Sequence, residues 1–140
     1  MRSAVAMGVQ QNEAALMRAV DAWNSGDVDS YMELYAENIK LHAGTYDFPH
    51  KQAVERMYRG FHAATSDLRL DIHETFGEGE RLAVRYTVTG TQTGELMGVP
   101  PTGREISMTG ITIMHFEHGR VVERWDSDDS AEVLSRLRHD

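Results

Sequence analysis

The hydrophobic period of this sequence changes once, near residue 65, and that change constrains the fold more than any other feature. Upstream, apolar residues recur every three or four positions; downstream they recur every two. The first pattern builds amphipathic helices and the second builds half-buried strands. A chain with helices first, strands after and no alternation of the two reads as α+β, not as a parallel nucleotide-binding sheet. The expectation is an α+β domain with the helices on one face of a bent antiparallel sheet, cupped around a small-molecule pocket.

Along the chain, Ala15, Leu16, Ala19, Val20 and Trp23 mark a helix over 10–23, ended by Asn24-Ser25-Gly26. Asp27 reads as the N-cap of a short second helix whose apolar side is Val28, Tyr31, Met32, Leu34 and Tyr35. Residues 39–42 read as a short strand and 43–49 as a loop. Val54, Met57, Tyr58 and Phe61 then give a helix over 50–64. Beyond it, Leu70, Ile72 and Phe76 share one strand face, residues 77–80 turn, and Leu82, Val84, Tyr86 and Val88 share the next. A glycine- and proline-rich connection over 96–104 leads to strands over 106–116 and 120–127 and a closing helix over 131–137. Glu117-His118-Gly119 reads as a three-residue loop that pairs Phe116 with Arg120. This register sets Met114 opposite Val122, Thr112 opposite Arg124 and Gly110 opposite Asp126 on one face. The other face holds Ile111, Ile113, His115, Val121, Glu123 and Trp125.

The 140 residues suit one domain over 1–140, with residues 1–8 a flexible tail. With 41% apolar residues and three prolines, such a chain buries roughly two-thirds of its unfolded surface. A net charge of −8 argues against nucleic acid and against an anionic membrane surface as partners. No apolar run approaches the roughly 18 residues that span a bilayer, and no signal-peptide core follows Met1, so a cytoplasmic address is expected. The absence of cysteine removes disulfides and thiolate chemistry.

Asp126 is the first catalytic candidate. Its face carries methionines and Gly110, which strip hydration from a carboxylate, while Arg124 on the same face opposes that loss; such a balance suits proton transfer. The alternative is a strand-end acid paired with Arg124 or Arg104 at the surface. His42, ending a short strand, can point into the cup as acid, base or hydrogen-bond donor, or be a strand-edge residue. Trp23, Tyr35, Met57, Tyr58, Met108 and Met114 form either plain core or the lining for a flat aromatic ligand. Thr112 and Gly110 are expected to leave open space beside Asp126, favouring a pocket over a filled core. The seven histidines make no metal-binding pair, and Asp126, Asp128 and Asp129 lack the glycine and distal glutamate of a calcium loop. No metal is expected, and no nucleophilic-serine elbow occurs.

Three segments resemble the SnoaL-like polyketide cyclases. They are Thr89-Gly90-Thr91-Gln92-Thr93-Gly94-Glu95-Leu96-Met97-Gly98-Val99-Pro100-Pro101-Thr102-Gly103-Arg104, Ala22-Trp23-Asn24-Ser25-Gly26-Asp27, and Gly119-Arg120-Val121-Val122-Glu123-Arg124-Trp125-Asp126. The resemblance covers about residues 10 to 138. It implies the nuclear-transport-factor-like cone fold, a curved antiparallel sheet forming a cone with helices closing an apolar pocket, together with no cofactor, a small aromatic or polyketide-like ligand, and a homodimer formed through the outer sheet face. It also implies intramolecular aldol closure of a ring, with the aspartate at Asp126 as base and then acid. Where the cyclases carry a histidine and a glutamine on the preceding strand, Thr112 and Gly110 stand here. Trp23 stands where they carry a phenylalanine or tyrosine. Relatives with Trp-Asp at this place resemble hydroxylases of anthracycline pathways. Hydroxylation or isomerisation is therefore the rival within the enzyme class, beside a non-catalytic binding module and a dimeric structural domain.

Overall fold

The computed structural model describes residues 3–139, with side chains from residue 8 onward. Of the tail expected over 1–8, residues 1 and 2 lie outside the described residues, and residues 3–8 are the first turns of a helix. Helix α1 (Ser3–Asn24) leads through Gly26, whose φ of 81° is left-handed, into α2 (Val28–Tyr31) and a single 3₁₀ turn, Met32–Leu34. Asp27 caps α2 as expected, its carboxylate accepting from the Ser30 N–H at 3.1 Å and the Ser30 hydroxyl at 2.7 Å. Strands β1 (Tyr35–Ala43) and β2 (Tyr46–Phe48) follow, then α3 (Lys51–Ala64), capped by His50. Strands β3 (Thr65–Glu78), β4 (Arg81–Gln92), β5 (Glu105–Glu117) and β6 (Arg120–Asp128) lead to α4 (Ser130–His139).

The six strands form one sheet in the order β2-β1-β6-β5-β4-β3. Every pairing is antiparallel except β1 with β6, which is parallel. The period change near residue 65 thus marks a real boundary between α3 and the long strands. The helical half, however, also holds β1 and the hairpin strand β2, where a short strand and a loop were expected. Tyr35 opens β1 rather than closing the second helix.

The core lies between α1, α2, α3 and the inner sheet face, around Leu16, Val20, Ile39, Leu41, Val54, Leu82, Val84, Phe116 and Val121. Asn24 ties α1 to β3: its amide donates to the Leu70 carbonyl at 3.1 Å, and the Leu70 N–H donates back at 2.7 Å. A smaller cluster, Ala64, Leu96, Val99, Val133 and Leu137, sits beneath α4. Between β4 and β5, the buried amide of Gln92 organises the glycine-proline connection. It donates to the carbonyls of Gly94, Val99 and Pro100 and accepts from the Thr102 N–H and hydroxyl.

The β5–β6 register differs from the expected one. Glu117 pairs with Arg120, so the loop is the two residues His118 and Gly119, both left-handed at φ 53° and 79°. That geometry matches the twist of a tight hairpin, and it asks a histidine to adopt a conformation that sequence patterns reserve for glycine. A bulge after Phe116↔Val121 restores the alternation, setting Met114 opposite Arg124, Thr112 opposite Asp126 and Gly110 opposite Asp128. The slip is two residues, so Met114, Thr112, Gly110, Arg124 and Asp126 keep their shared face. Val121 is the exception: it was placed on the outer face, and it is fully buried in the core. A bulge at His73 of β3 likewise reverses phase after Ile72, so Phe76 points outward instead of joining Leu70 and Ile72.

Candidate active site

Arg124 enters the core from β6 with 7% of its surface exposed. Its Nε donates to the Thr112 hydroxyl at 2.9 Å, which donates onward to the Trp125 carbonyl at 2.9 Å. Its Nη1 donates to the phenolic oxygens of Tyr35 at 2.6 Å, Tyr58 at 2.9 Å and Tyr31 at 3.5 Å. Tyr35 shares further hydrogen bonds with Tyr31 at 2.8 Å and Tyr58 at 3.2 Å. Burial works against the guanidinium charge, but Tyr35, Tyr58, Asp126 and Tyr31 outweigh it and hold Arg124 above its ordinary range. Burial pushes the Tyr31 and Tyr58 phenols far up, so both stay neutral.

Asp126 lies beside this network, with 12% of its side chain exposed and Oδ2 3.7 Å from Arg124 Nη2. Its Oδ1 accepts from the Tyr86 hydroxyl at 2.8 Å. Tyr86 is buried, and burial together with the neighbouring Asp126 charge raises its phenol far above the usual range, leaving it a neutral donor. The site is thus a largely buried carboxylate between a phenol and a buried permanent cation. Such an arrangement can take up and return a proton beside a fixed positive charge.

The structure brings Asp126, Arg124, Thr112, Tyr35 and Tyr58 together. Tyr35, Tyr58, Trp23 and Met114 are core side chains, and Met57 packs partly buried against them. Trp23 stands edge-on to Tyr31 and Tyr58, with His62 4.3 Å away ring to ring. Among the described residues, Trp23 Nε1 and His62 Nε2 are buried without a hydrogen-bond partner. Burial, and then Arg59, lower His62, so it is neutral. Met108 packs instead against the cluster beneath α4.

His42 does not point into the cup. It alternates with buried Leu41 and lies on the outer face, between Asp47 at 2.7 Å and Glu123 at 2.8 Å, with its ring stacked on Trp125. Asp47 first and Glu123 second raise it, as fits an imidazolium donating from both nitrogens. Nor do Thr112 and Gly110 leave open space beside Asp126. The Thr112 hydroxyl is held by Arg124, and the room above Gly110 is filled by the Tyr86 ring. Two surface cavities lie elsewhere. One of about 490 Å³ is lined by Gly90, Arg104, Ile106, Arg136 and Leu137 among others, and one of about 510 Å³ by Glu33, Glu37, Lys51 and Glu55 among others. Tyr86 and Tyr31 were not singled out from the sequence. Tyr86 carried a usable signal: it is the polar-tipped member of the inward set Leu82, Val84, Tyr86 and Val88, on the strand paired with Gly110.

The profile of the SnoaL-like polyketide cyclase family matches residues 13–137. Aklanonic acid methyl ester cyclase AcmA of Streptomyces galilaeus is 27% identical over 128 residues, covering 83% of each chain. The crystal structure of AclR, a candidate hydroxylase from Streptomyces galilaeus, superposes with a TM-score of 0.83 at 30% identity, over 92% of this chain and 96% of its own. A SnoaL-like protein from Jannaschia sp. superposes with a TM-score of 0.84 at 20% identity over 94% of each chain, a likeness of fold.

Proposed function

The chain belongs to the SnoaL-like polyketide cyclase family, and from that premise we propose that it is a cofactor-independent enzyme closing a ring of a polycyclic keto ester by intramolecular aldol condensation. Asp126 is the acid/base. Its placement, largely buried on the last strand with Oδ1 held by Tyr86 and Oδ2 facing Arg124, is the observation that carries this reading.

Asp126 takes a proton from the carbon flanked by two carbonyls. The enolate carbon attacks a ketone of the same molecule, forming the new C–C bond and an alkoxide. The alkoxide recovers the proton from Asp126, so substrate and product have equal mass. The chemistry is modest because the proton is acidic and the ring system delocalises the enolate. Holding the chain folded contributes several kcal/mol, and the carboxylate a further ~10²–10⁴-fold. Arg124 has its Nε and Nη1 donors engaged, so it acts as a fixed counter-charge to Asp126 and not as a ligand for substrate. The outer sheet face, with Ile111, Ile113, Trp125 and Phe76 exposed, joins two copies into a homodimer.

The test is incubation of the purified protein with an anthraquinone keto ester, read by mass spectrometry beside Asp126→Asn. A product of unchanged mass and shifted retention, lost in the variant, supports the cyclase. A product with one added oxygen transfers the reading to hydroxylation, the alternative favoured by the 30% identity to AclR. No product, with an equal melting shift in both proteins, replaces catalysis with a binding module.

A further inference from the structure

Gly110 is not a glycine for backbone reasons, since its φ is not left-handed. It is explained by space. Gly110 and Tyr86 are direct cross-strand partners. A Cβ at position 110 would lie 2.5 Å from the Tyr86 hydroxyl oxygen, 2.7 Å from its Cζ and 3.0 Å from the Asp128 Cβ. The phenol therefore lies across bare backbone of β5, and only so does it reach from β4 to Asp126 on β6. There it makes the 2.8 Å hydrogen bond to Oδ1.

We propose that Tyr86, admitted by Gly110, is the positioning residue of the acid/base, a role that rests on the assignment of Asp126 above. The phenol fixes the carboxyl rotamer and occupies Oδ1. Oδ2, 3.7 Å from Arg124 Nη2, is then the oxygen that takes the substrate's proton and returns it. The charged and titratable groups around this carboxyl are Tyr86 from β4, Arg124 and Asp128 from β6, and Tyr58 from α3. Of these, Tyr86 supplies the short hydrogen bond. The hydrogen bond holds the carboxyl in one orientation, so its loss costs turnover through misplacement of Oδ2 and not through base strength.

Two measurements test this, one of which needs no substrate. In Tyr86→Phe, the ¹³C carboxyl signal of Asp126 moves from its native position, because the carboxyl has lost the donor to Oδ1 and its fixed rotamer. With the keto ester, kcat falls about tenfold while KM holds within twofold. Separately, Gly110→Ala lowers the melting temperature by several degrees in the native background and by much less in Tyr86→Val, where the ring it collides with is gone. An unmoved Asp126 signal in Tyr86→Phe overturns the positioning role. Equal damage from Gly110→Ala in both backgrounds overturns the account of the glycine. If Asp126→Asn turns over normally while the carboxyl signal shifts as expected, the acid/base assignment fails and the Tyr86 hydrogen bond stands.

Discussion

Arg124 places a permanent charge among core side chains, and its surroundings explain how the fold tolerates it. Nε and Nη1 meet four hydroxyls, those of Thr112, Tyr35, Tyr58 and Tyr31. Hydroxyls accept from a guanidinium without bringing a second charge to be desolvated. Removing the cation strands them together with the largely buried Asp126. Arg124→Met is expected to lower unfolding free energy by about 3–5 kcal/mol, the range for breaking a buried pair at one partner. Tyr35→Phe is expected to lower it by only about 1 kcal/mol, because Tyr58 remains an acceptor. Urea titration of both variants checks the ratio; equal losses would mean that Tyr35, not the cation, organises the cluster. Asp126→Asn keeps the shape and the Tyr86 contact, and is expected to melt within a few degrees of the native protein while losing the proton chemistry.

At the scale of elements, His42 holds an unusual joint, the parallel pair β1–β6, by bridging Asp47 of β2 and Glu123 of β6. Its folded-state value is raised. The stability it contributes is therefore fully present below the unfolded histidine value of about 6.5 and is lost as pH rises through the higher folded value. The urea midpoint of the native protein should fall across that window, and the His42→Ala midpoint should fall less; parallel curves would remove the bridge as a source of stability. This joint was hidden from the sequence, because a histidine ending a short strand looks the same whether it faces the cup or the outside. The four strands after residue 65, the Asp27 cap and the common face of Thr112, Arg124 and Asp126 were legible, because period and capping chemistry are local. What escaped was set by single-residue bulges and by His118 in a left-handed turn, which change phase without changing composition. Gln92 escaped for a related reason: its five contacts to the 94–102 segment belong to a closed loop and not to a strand pattern. Gln92→Met is expected to cost about 2–4 kcal/mol by leaving buried carbonyls unpaired, measurable by thermal unfolding.

For the whole molecule, the consequence of the β3 bulge is a row of apolar side chains across the outer sheet. Phe76, Ala83, Ile113 and Trp125 are successive cross-strand partners on β3, β4, β5 and β6. Phe76 is 68% exposed, Ile113 44% and Trp125 37%. Four strands at about 4.8 Å spacing make this row about 14 Å long, and Ile111 widens it. This row is where the proposed contact between two copies would lie. Strand alternation puts Trp125 on that patch and Asp126, the next residue, in the site on the opposite face. A dimer formed through that patch would share a strand with the proposed site but no surface. Ile113→Glu places a charge at the centre of the row, and in a chain already at −8 two such copies repel. Sedimentation should find the native protein dimeric at micromolar concentration and the variant monomeric, with Asp126-dependent turnover retained within a few-fold. A monomeric native protein would remove the interface. A monomeric variant that melts normally but has lost turnover would show that the second copy supports the site through β6, against the separation of faces that alternation dictates.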